Sequence, residues 1–373
     1  MPAIRVLQIM PAMDTGGMET FVMNLYRAMD REKVQFDFLY HYDKPCFYDE
    51  EICALGGRIT KLTVRQDNNL PKYLRELRAF FSAHPEYRVI HGHYSGFGMF
   101  YNTVARRCGV PVRAGHSHNT AYEHNLVGQL DRMMSAQFDR ELTHRFACSQ
   151  RAGEMLYGSH SFKVLPNGVN TDRFARHDAA DRAALRAELG VAEDEILFGH
   201  VGRFTQQKNH AGLLELFASL RQRMPRARLV LVGGGALEPQ IREQAARMGL
   251  GQSVIFAGVR GDMQRLYHAM DVFLLPSLFE GLPVVLVEAQ VSGLPCFVSD
   301  TVDPGAAFAQ NIHYLPLNQP DAWVQAILSA DLTRDLHARE RAIEAGFDVR
   351  TSAEFLQNFY LEQYAIHSGE ETV

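Results

Sequence analysis

The sequence predicts an α/β chain built from two parallel-sheet domains, and three observations carry that expectation. Its 373 residues are too many for one ordinary hydrophobic core. Short apolar runs, such as Asp271-Val272-Phe273-Leu274-Leu275, end in glycine or proline and are followed by helix-period stretches, the pattern of buried parallel strands. Both halves repeat this strand-helix plan, as two Rossmann-like domains would, and no repeat of solenoid length interrupts it.

The first domain is expected over residues 1–170. Met1 to Met10 reads as its first strand, without the long apolar core of a signal peptide. Asp14-Thr15-Gly16-Gly17 then leads into an amphipathic helix with Phe21, Leu25 and Met29 at helical spacing. The glycine pair fits a plain tight turn or a backbone that approaches a ligand, with free N–H groups at the helix start. It is not a Gly-x-Gly-x-x-Gly fingerprint, which disfavours a nicotinamide site. Strands follow at Phe36–Tyr40 and Arg58–Leu62, then a helix from Pro71 with a core stripe of Leu74, Leu77 and Phe81. Its other face carries Lys72, Arg75 and Arg78, which suits water or an anionic membrane surface. His91 and His93 end one strand; His116, His118 and Asn119 end the next, where ligands of a parallel sheet gather.

A second domain is expected over residues 171–350. It opens with a charged helix from Asp178 to Leu189 and a strand from Ile196 to Gly202, which delivers Arg203 and Lys208 to a strand end. Leu229 to Val232 runs into Gly233-Gly234-Gly235, and Val254 to Val259 precedes Arg260. In Pro276-Ser277-Leu278-Phe279-Glu280-Gly281-Leu282-Pro283-Val284, the prolines and glycine stop a strand and start a helix that Gly293 and Pro295 end. Glu280 and Glu288 then lie within about 12 Å of each other. The helix start at Gly281, Leu282 and Val284 is suited to an anion between them. Spacing alone fits equally a buried helix start with one capping and one solvated glutamate. Residues 351–373 form a last helix with Phe355, Phe359 and Tyr364, then a frayed tail from Gly369.

Composition narrows the setting. Hydrophobic residues make up 46%, enough for two cores, and no apolar run reads as a membrane span, so a cytoplasmic protein is expected. Five scattered cysteines show no metal spacing, so neither disulfide nor zinc is expected. Residues 1–170 hold 20 Lys+Arg against 17 Asp+Glu, and the remainder 18 against 26. The amino-terminal half would therefore prefer an anionic partner or surface, although a solvated surface explains the bias equally.

Two glutamates in Pro-Ser-x-x-Glu-Gly-x-Pro followed by Glu-Ala-x-x-x-Gly-x-Pro resemble the donor-site motif of the retaining glycosyltransferases of family 4, which have the GT-B fold. Gly202-Arg203 with Lys208 looks like the family's Gly-Arg-x-x-x-x-Lys motif, and Pro166-Asn167-Gly168-Val169-Asn170 resembles its interdomain crossover. The resemblance spans the chain and is strongest over residues 199–298. It implies two Rossmann-like domains facing a central cleft, with the last helix crossing back to the first domain.

The resemblance also implies roles. Glu280 would hold hydroxyls of the donor sugar and Glu288 the ribose. Arg203 and Lys208 would neutralise the leaving diphosphate, with Gly16 and Gly17 facing the same phosphates. Gly233 would form cleft wall, and the segment ending at Arg260 would border the base. Family members usually carry a cleft histidine at the end of the His116–Asn119 strand, and His116 and His118 both remain candidates. His91 and His93 are further cleft candidates. The implied reaction is retaining transfer from a nucleotide-diphosphate sugar, UDP favoured over GDP, by front-face substitution and without a cofactor. No Asp-x-Asp tripeptide occurs, so no bound metal is expected. The implied acceptor is a glycan or lipid-linked glycan of exopolysaccharide or capsule assembly, met peripherally at the inner membrane face, and no nucleic-acid partner is expected. Alternatives are a non-catalytic nucleotide-sugar or polysaccharide-binding protein, and an epimerase or phosphorylase of the same fold.

Overall fold

In the computed structural model, residues 2–63, 69–93, 96–120, 122, 126–175 and 178–368 are described. The expected frayed tail from Gly369 lies outside them. The chain divides into two compact units, Met1–Gly168 with Val349–Val373, and Val169–Asp348.

The first unit is built on strands β1 (Ile4–Met10), β2 (Val34–Tyr40), β3 (Ile59–Lys61), β4 (Val89–Gly92), β5 (Val112–Ser117), β6 (His144–Ala147) and β7 (Lys163–Val164). They form one parallel sheet in the order β3-β2-β1-β4-β5-β6-β7. The central strands are near-continuous apolar runs because helices cover both faces of such a sheet. Val6, Phe36 and Val89 are fully buried in that core. The last helix, Val349–Ser368, completes it with Ala353, Leu356 and Tyr360.

Two apolar stripes differ from expectation. On the helix Leu70–Ala83 the buried residues are Tyr73, Leu77, Phe80 and Phe81, while Leu74 is half-buried and turned aside. The last helix buries Leu356 and Tyr360 and leaves Phe355 at 37% exposure under the Lys163 ammonium. In both, the neighbouring residue, Tyr73 or Leu356, takes the buried place instead.

The second unit carries β8 (Ile196–Val201), β9 (Ala227–Val232), β10 (Val254–Gly258), β11 (Val272–Leu275), β12 (Cys296–Ser299) and β13 (Ile312–Leu315). Its parallel sheet runs β10-β9-β8-β11-β12-β13. Each sheet thus reverses its strand order beside its own first strand, between β1 and β4 and between β8 and β11. In open α/β sheets ligands bind outside the strand ends at such a switch point.

Candidate active site

The switch point of the second unit collects the residues singled out in the sequence. The loop after β8 carries Arg203 and Lys208, and the loop after β11 carries Glu280. Backbone and side chains zip these loops together. Leu278 N donates to Gln207 O at 2.8 Å, Gln207 Nε2 donates to Phe279 O at 3.0 Å, and Asn209 Nδ2 donates to Pro276 O at 3.0 Å. Asn209 sits at φ 53°, a left-handed conformation that asparagine tolerates better than most residues. Its Oδ1 also caps the helix His210–Arg223 by accepting from Gly212 N. Behind the loop, His200 Nδ1–H donates to Leu274 O at 2.8 Å and ties β8 to β11, while His210 stacks on Phe204.

Lys208 Nζ meets Glu280 Oε1 at 2.5 Å, with only 15% and 9% of the two side chains exposed. Gln207 Nε2 adds a 3.4 Å contact to Glu280 Oε2. Arg203 is exposed, and its guanidinium has no hydrogen-bond or carboxylate partner among the described residues. The site therefore presents one unsatisfied planar cation beside a neutralised lysine-glutamate pair. A bidentate oxyanion such as phosphate is the natural complement of such a guanidinium.

Glu288 is 5% exposed and accepts from the Tyr267 hydroxyl at 2.9 Å. Burial, and then the Glu288 charge, raise the Tyr267 pKa well above its ordinary value, so Tyr267 stays a donor. The helix starts at Val284, with Pro283 as a cap that offers no side-chain acceptor. Gly281 and Leu282 lie in the connection that leads to it. Gly233 is required by packing: at φ 137° its added Cβ would fall 2.2 Å from Gly202 O. Only glycine lets the end of β9 press against the loop that carries Arg203.

The Arg260 guanidinium is engaged within the unit: it holds Asp262 in two 2.8 Å bonds and Glu188, at the end of the helix Ala179–Glu188, in a third.

In the first unit, Gly16 and Gly17 lie between β1 and the helix Gly17–Ala28. Gly16 has extended backbone, φ −149°, and a Cβ there would meet only the end of the Glu19 side chain, while at Gly17 it would meet nothing. Neither glycine is demanded by the turn itself.

The strand-end histidines form one stack. His91 and His93 on β4 and its exit alternate to the same face as His116 on β5 and His118 just beyond it, because residues two apart share a sheet face. Ring centroids lie 4.5 Å apart for His116 and His118 and 4.6 Å for His91 and His93, with planes 15° and 25° from parallel. Gln8 Oε1 accepts from His93 Nε2–H at 2.9 Å, which leaves His93 Nδ1 to accept from His118 Nε2–H at 2.9 Å. His91 is fully buried and bonded to the Tyr360 hydroxyl at 2.5 Å. His91 is therefore a core group and not the cleft lining expected of it, because the last helix covers it. His116, 2% exposed, is likewise inside, whereas His118 is half-buried and Asn119 exposed. Burial holds His91 and His118 down at about 3, so both are neutral at ordinary pH.

Nitrogen atoms of His91, His93 and His116 lie within 4.8 Å of one another. Near-parallel rings aim their in-plane lone pairs along parallel planes, and both His93 nitrogens are already bonded. The arrangement does not fit a single ion, which needs lone pairs converging from about 2 Å.

Gln207, Asn209, Tyr267 and His200 were missed by the sequence reading. Asn209 alone had a local signal, an asparagine just before an apolar-periodic stretch.

The family described as "Glycosyl transferases group 1" matches residues 181–348, and "Glycosyltransferase Family 4" matches residues 15–173. Putative glycosyltransferase EpsF of Bacillus subtilis (strain 168) is 39% identical over 374 residues, covering 95% of this chain and 96% of its own. UDP-Gal:alpha-D-GlcNAc-diphosphoundecaprenol alpha-1,3-galactosyltransferase of Escherichia coli is 26% identical over 296 residues, 74% of this chain and 76% of its own. The crystal structure of Anabaena Alr3699/HepE in complex with UDP and glucose matches with a TM-score of 0.79 at 20% identity, over 96% of this chain and 99% of that one. Two Rossmann-like sheets with these structural neighbours define a two-domain α/β protein of the GT-B fold. The chain belongs to glycosyltransferase family 4, and it is a transferase enzyme.

Proposed function

We propose that this enzyme moves a sugar, with retention of anomeric configuration, from a nucleotide-diphosphate sugar to a glycan or lipid-linked glycan acceptor in polysaccharide assembly, at the cytoplasmic face of a membrane. A hexosyl or N-acetylhexosaminyl group is the expected cargo, with UDP favoured over GDP as carrier. The carrying observation is the meeting of free Arg203, the Lys208–Glu280 pair and buried Glu288 at one switch point. Names of relatives support the class of chemistry: the Escherichia coli relative is named for a UDP-galactose donor and a diphosphoundecaprenol acceptor.

In this reading the diphosphate takes Arg203 and displaces the Lys208 ammonium from Glu280, which turns to the sugar hydroxyls. Glu288, held by Tyr267, takes the ribose. The acceptor oxygen bonds the anomeric carbon on the face from which the diphosphate departs, and the acceptor proton passes to the leaving phosphate oxygen. Charge developing on that phosphate is stabilised by the two cations without bound metal. His118 and Asn119 serve the acceptor or donor sugar, and Gly16 and Gly17 the phosphates.

A thermal-shift series over UDP- and GDP-sugars tests the reading. The true donor at about a hundred times its dissociation constant adds about 2.7 kcal/mol of stability. Anomeric analysis of the product and persistence of activity in excess chelator complete the test. Inversion, or activity restored only by Mg²⁺ or Mn²⁺, overturns the mechanism; binding of a donor without transfer to any acceptor overturns the enzyme. Calorimetry separates the glutamates: Glu280→Gln leaves the bare nucleotide's affinity unchanged and slows transfer, whereas Glu288→Gln weakens nucleotide and donor alike by about 1–2 kcal/mol. The reverse pattern would exchange their roles.

A further inference from the structure

The first unit carries a second concave feature away from β1 and β4. The helices Leu70–Ala83, Gly98–Arg107 and Leu126–Glu141 surround a pocket of about 440 Å³, within the usual range for ligand pockets. Leu74, Met99, Phe100 and Val104 supply its apolar lining, and Leu74 is the side chain that turned away from the core. Arg75, Arg78 and Arg107 stand around it, all exposed and without an ion pair or hydrogen bond among the described residues. The carboxylates of the same helices are already engaged: Glu76 with Lys72, Glu141 with Arg106, Asp139 with Arg145, and Asp131 with Gly96 N. Among the described residues, no carboxylate neutralises the three guanidinium groups.

Gln137 joins the pocket wall, and Met133 and Leu130 continue from it along one helix face at spacings of four and three residues. Met133 is 75% exposed and Leu130 55%. Hydrocarbon open to water beside unpaired cations is costly in each part, and one kind of partner relieves both. A small sugar phosphate would leave Met133, Leu130 and the apolar lining wet; a neutral apolar partner would bury the arginines without a counter-charge. A bilayer containing anionic lipid supplies phosphate and hydrocarbon together.

We propose that this three-helix face is a docking surface for an anionic lipid bilayer, with lipid phosphates on Arg75, Arg78 and Arg107. Leu130 and Met133 enter the headgroup–acyl boundary, and the Leu74–Phe100 pocket receives a lipid hydrocarbon chain. The inference rests on the reading of an acceptor held at a membrane, and gives that reading a place on the molecule.

The full-length protein is tested by flotation with vesicles of phosphatidylcholine alone and of phosphatidylcholine with phosphatidylglycerol. Wild type binds the mixed vesicles, less so as salt rises, and the neutral ones weakly. Arg75→Gln, Arg78→Gln and Arg107→Gln combined lower partition by about a hundredfold, about fivefold per arginine. Since the chain has one tryptophan, Trp323, buried at 2% in the other unit, Met133→Trp adds an exposed reporter whose emission shifts to the blue on mixed vesicles. Undiminished partition of the triple variant, or an unshifted Met133→Trp emission on bound protein, overturns the proposal. So does retention on a polyanion column with no partition onto either vesicle. Transfer to a water-soluble acceptor without vesicles is measured alongside. It stays unchanged in the triple variant, so loss of docking is distinguishable from failure of the transferase reading, in which wild type itself transfers nothing.

Discussion

Arg203 and Lys208 share one short loop yet differ in what they hold before any ligand arrives. Arg203 is exposed and unpaired, so Arg203→Ala should leave the melting temperature within error and lower kcat by about a hundredfold to a thousandfold, the effect of removing one transition-state donor. Lys208→Ala strips the partner from Glu280, an almost fully buried carboxylate, and should destabilise the protein by about 3 kcal/mol as well as slow it. Adding Glu280→Gln to Lys208→Ala should return part of that stability and none of the rate. Urea melts and steady-state kinetics on the three variants separate the two cations. Equal melting temperatures for Arg203→Ala and Lys208→Ala would contradict the pairing. The chemistry-bearing residue types were legible because proline and glycine around Glu280, and the strand end before Arg203, punctuate the chain locally. The pairing of Lys208 with Glu280 was not, since residues 72 positions apart meet only through the β8–β11 adjacency.

At the level of elements, the zip between the loops after β8 and β11 depends on a single left-handed residue. Asn209→Ala loses the helix cap, the bond to Pro276 O and the side chain's tolerance of φ 53°, and should cost about 2–3 kcal/mol. Asn209→Gly keeps the backbone angle and should recover about 1 kcal/mol. Both should lower kcat, because Gln207 and Glu280 are aligned by the same zip; chemical denaturation with parallel rate measurements checks the order. Strand succession and helix starts could be read from apolar runs and their breakers. Which helix face turns inward could not be read so well: Leu74 and Tyr73 are both apolar, and the partner that Tyr73 finds inside, His41 at 2.7 Å, lies 32 positions earlier. For the histidines the difficulty is chemical. A strand-end histidine lines a crevice or fills a core with the same residue type, and Tyr360, which covers His91, lies 269 positions later.

Across the whole molecule, buried neutral histidines make stability sensitive to acid. An unfolded histidine titrates near 6.5. In the folded protein burial holds His91 and His118 at about 3 and His210 at about 4, and it also lowers His93, His116 and His200. Below about pH 6.5 the unfolded chain binds protons that the native state refuses. Their contribution is thus complete above that pH and is lost as pH falls toward 4, by about 1.4 kcal/mol per pH unit for each histidine. Four of the six belong to the first unit, which should unfold first between about pH 6 and about pH 4. Circular dichroism should then fall before the emission of Trp323, which reports the second unit. Coincident transitions, or stability constant over that range, would refute it.

The last helix, Val349–Ser368, belongs to the first unit although the whole second unit separates it from that unit's other elements. A ribosome therefore delivers the second unit, residues 169–348, as one uninterrupted piece, while the first must wait until that piece has been made for Leu356 and Tyr360. During that wait Phe36 and His91 lack the cover that Tyr360 gives them in the finished protein. The half synthesised first is the half completed last. A nascent chain stopped at Asp348 should accordingly offer a chaperone the apolar side of the first sheet beside a finished second unit.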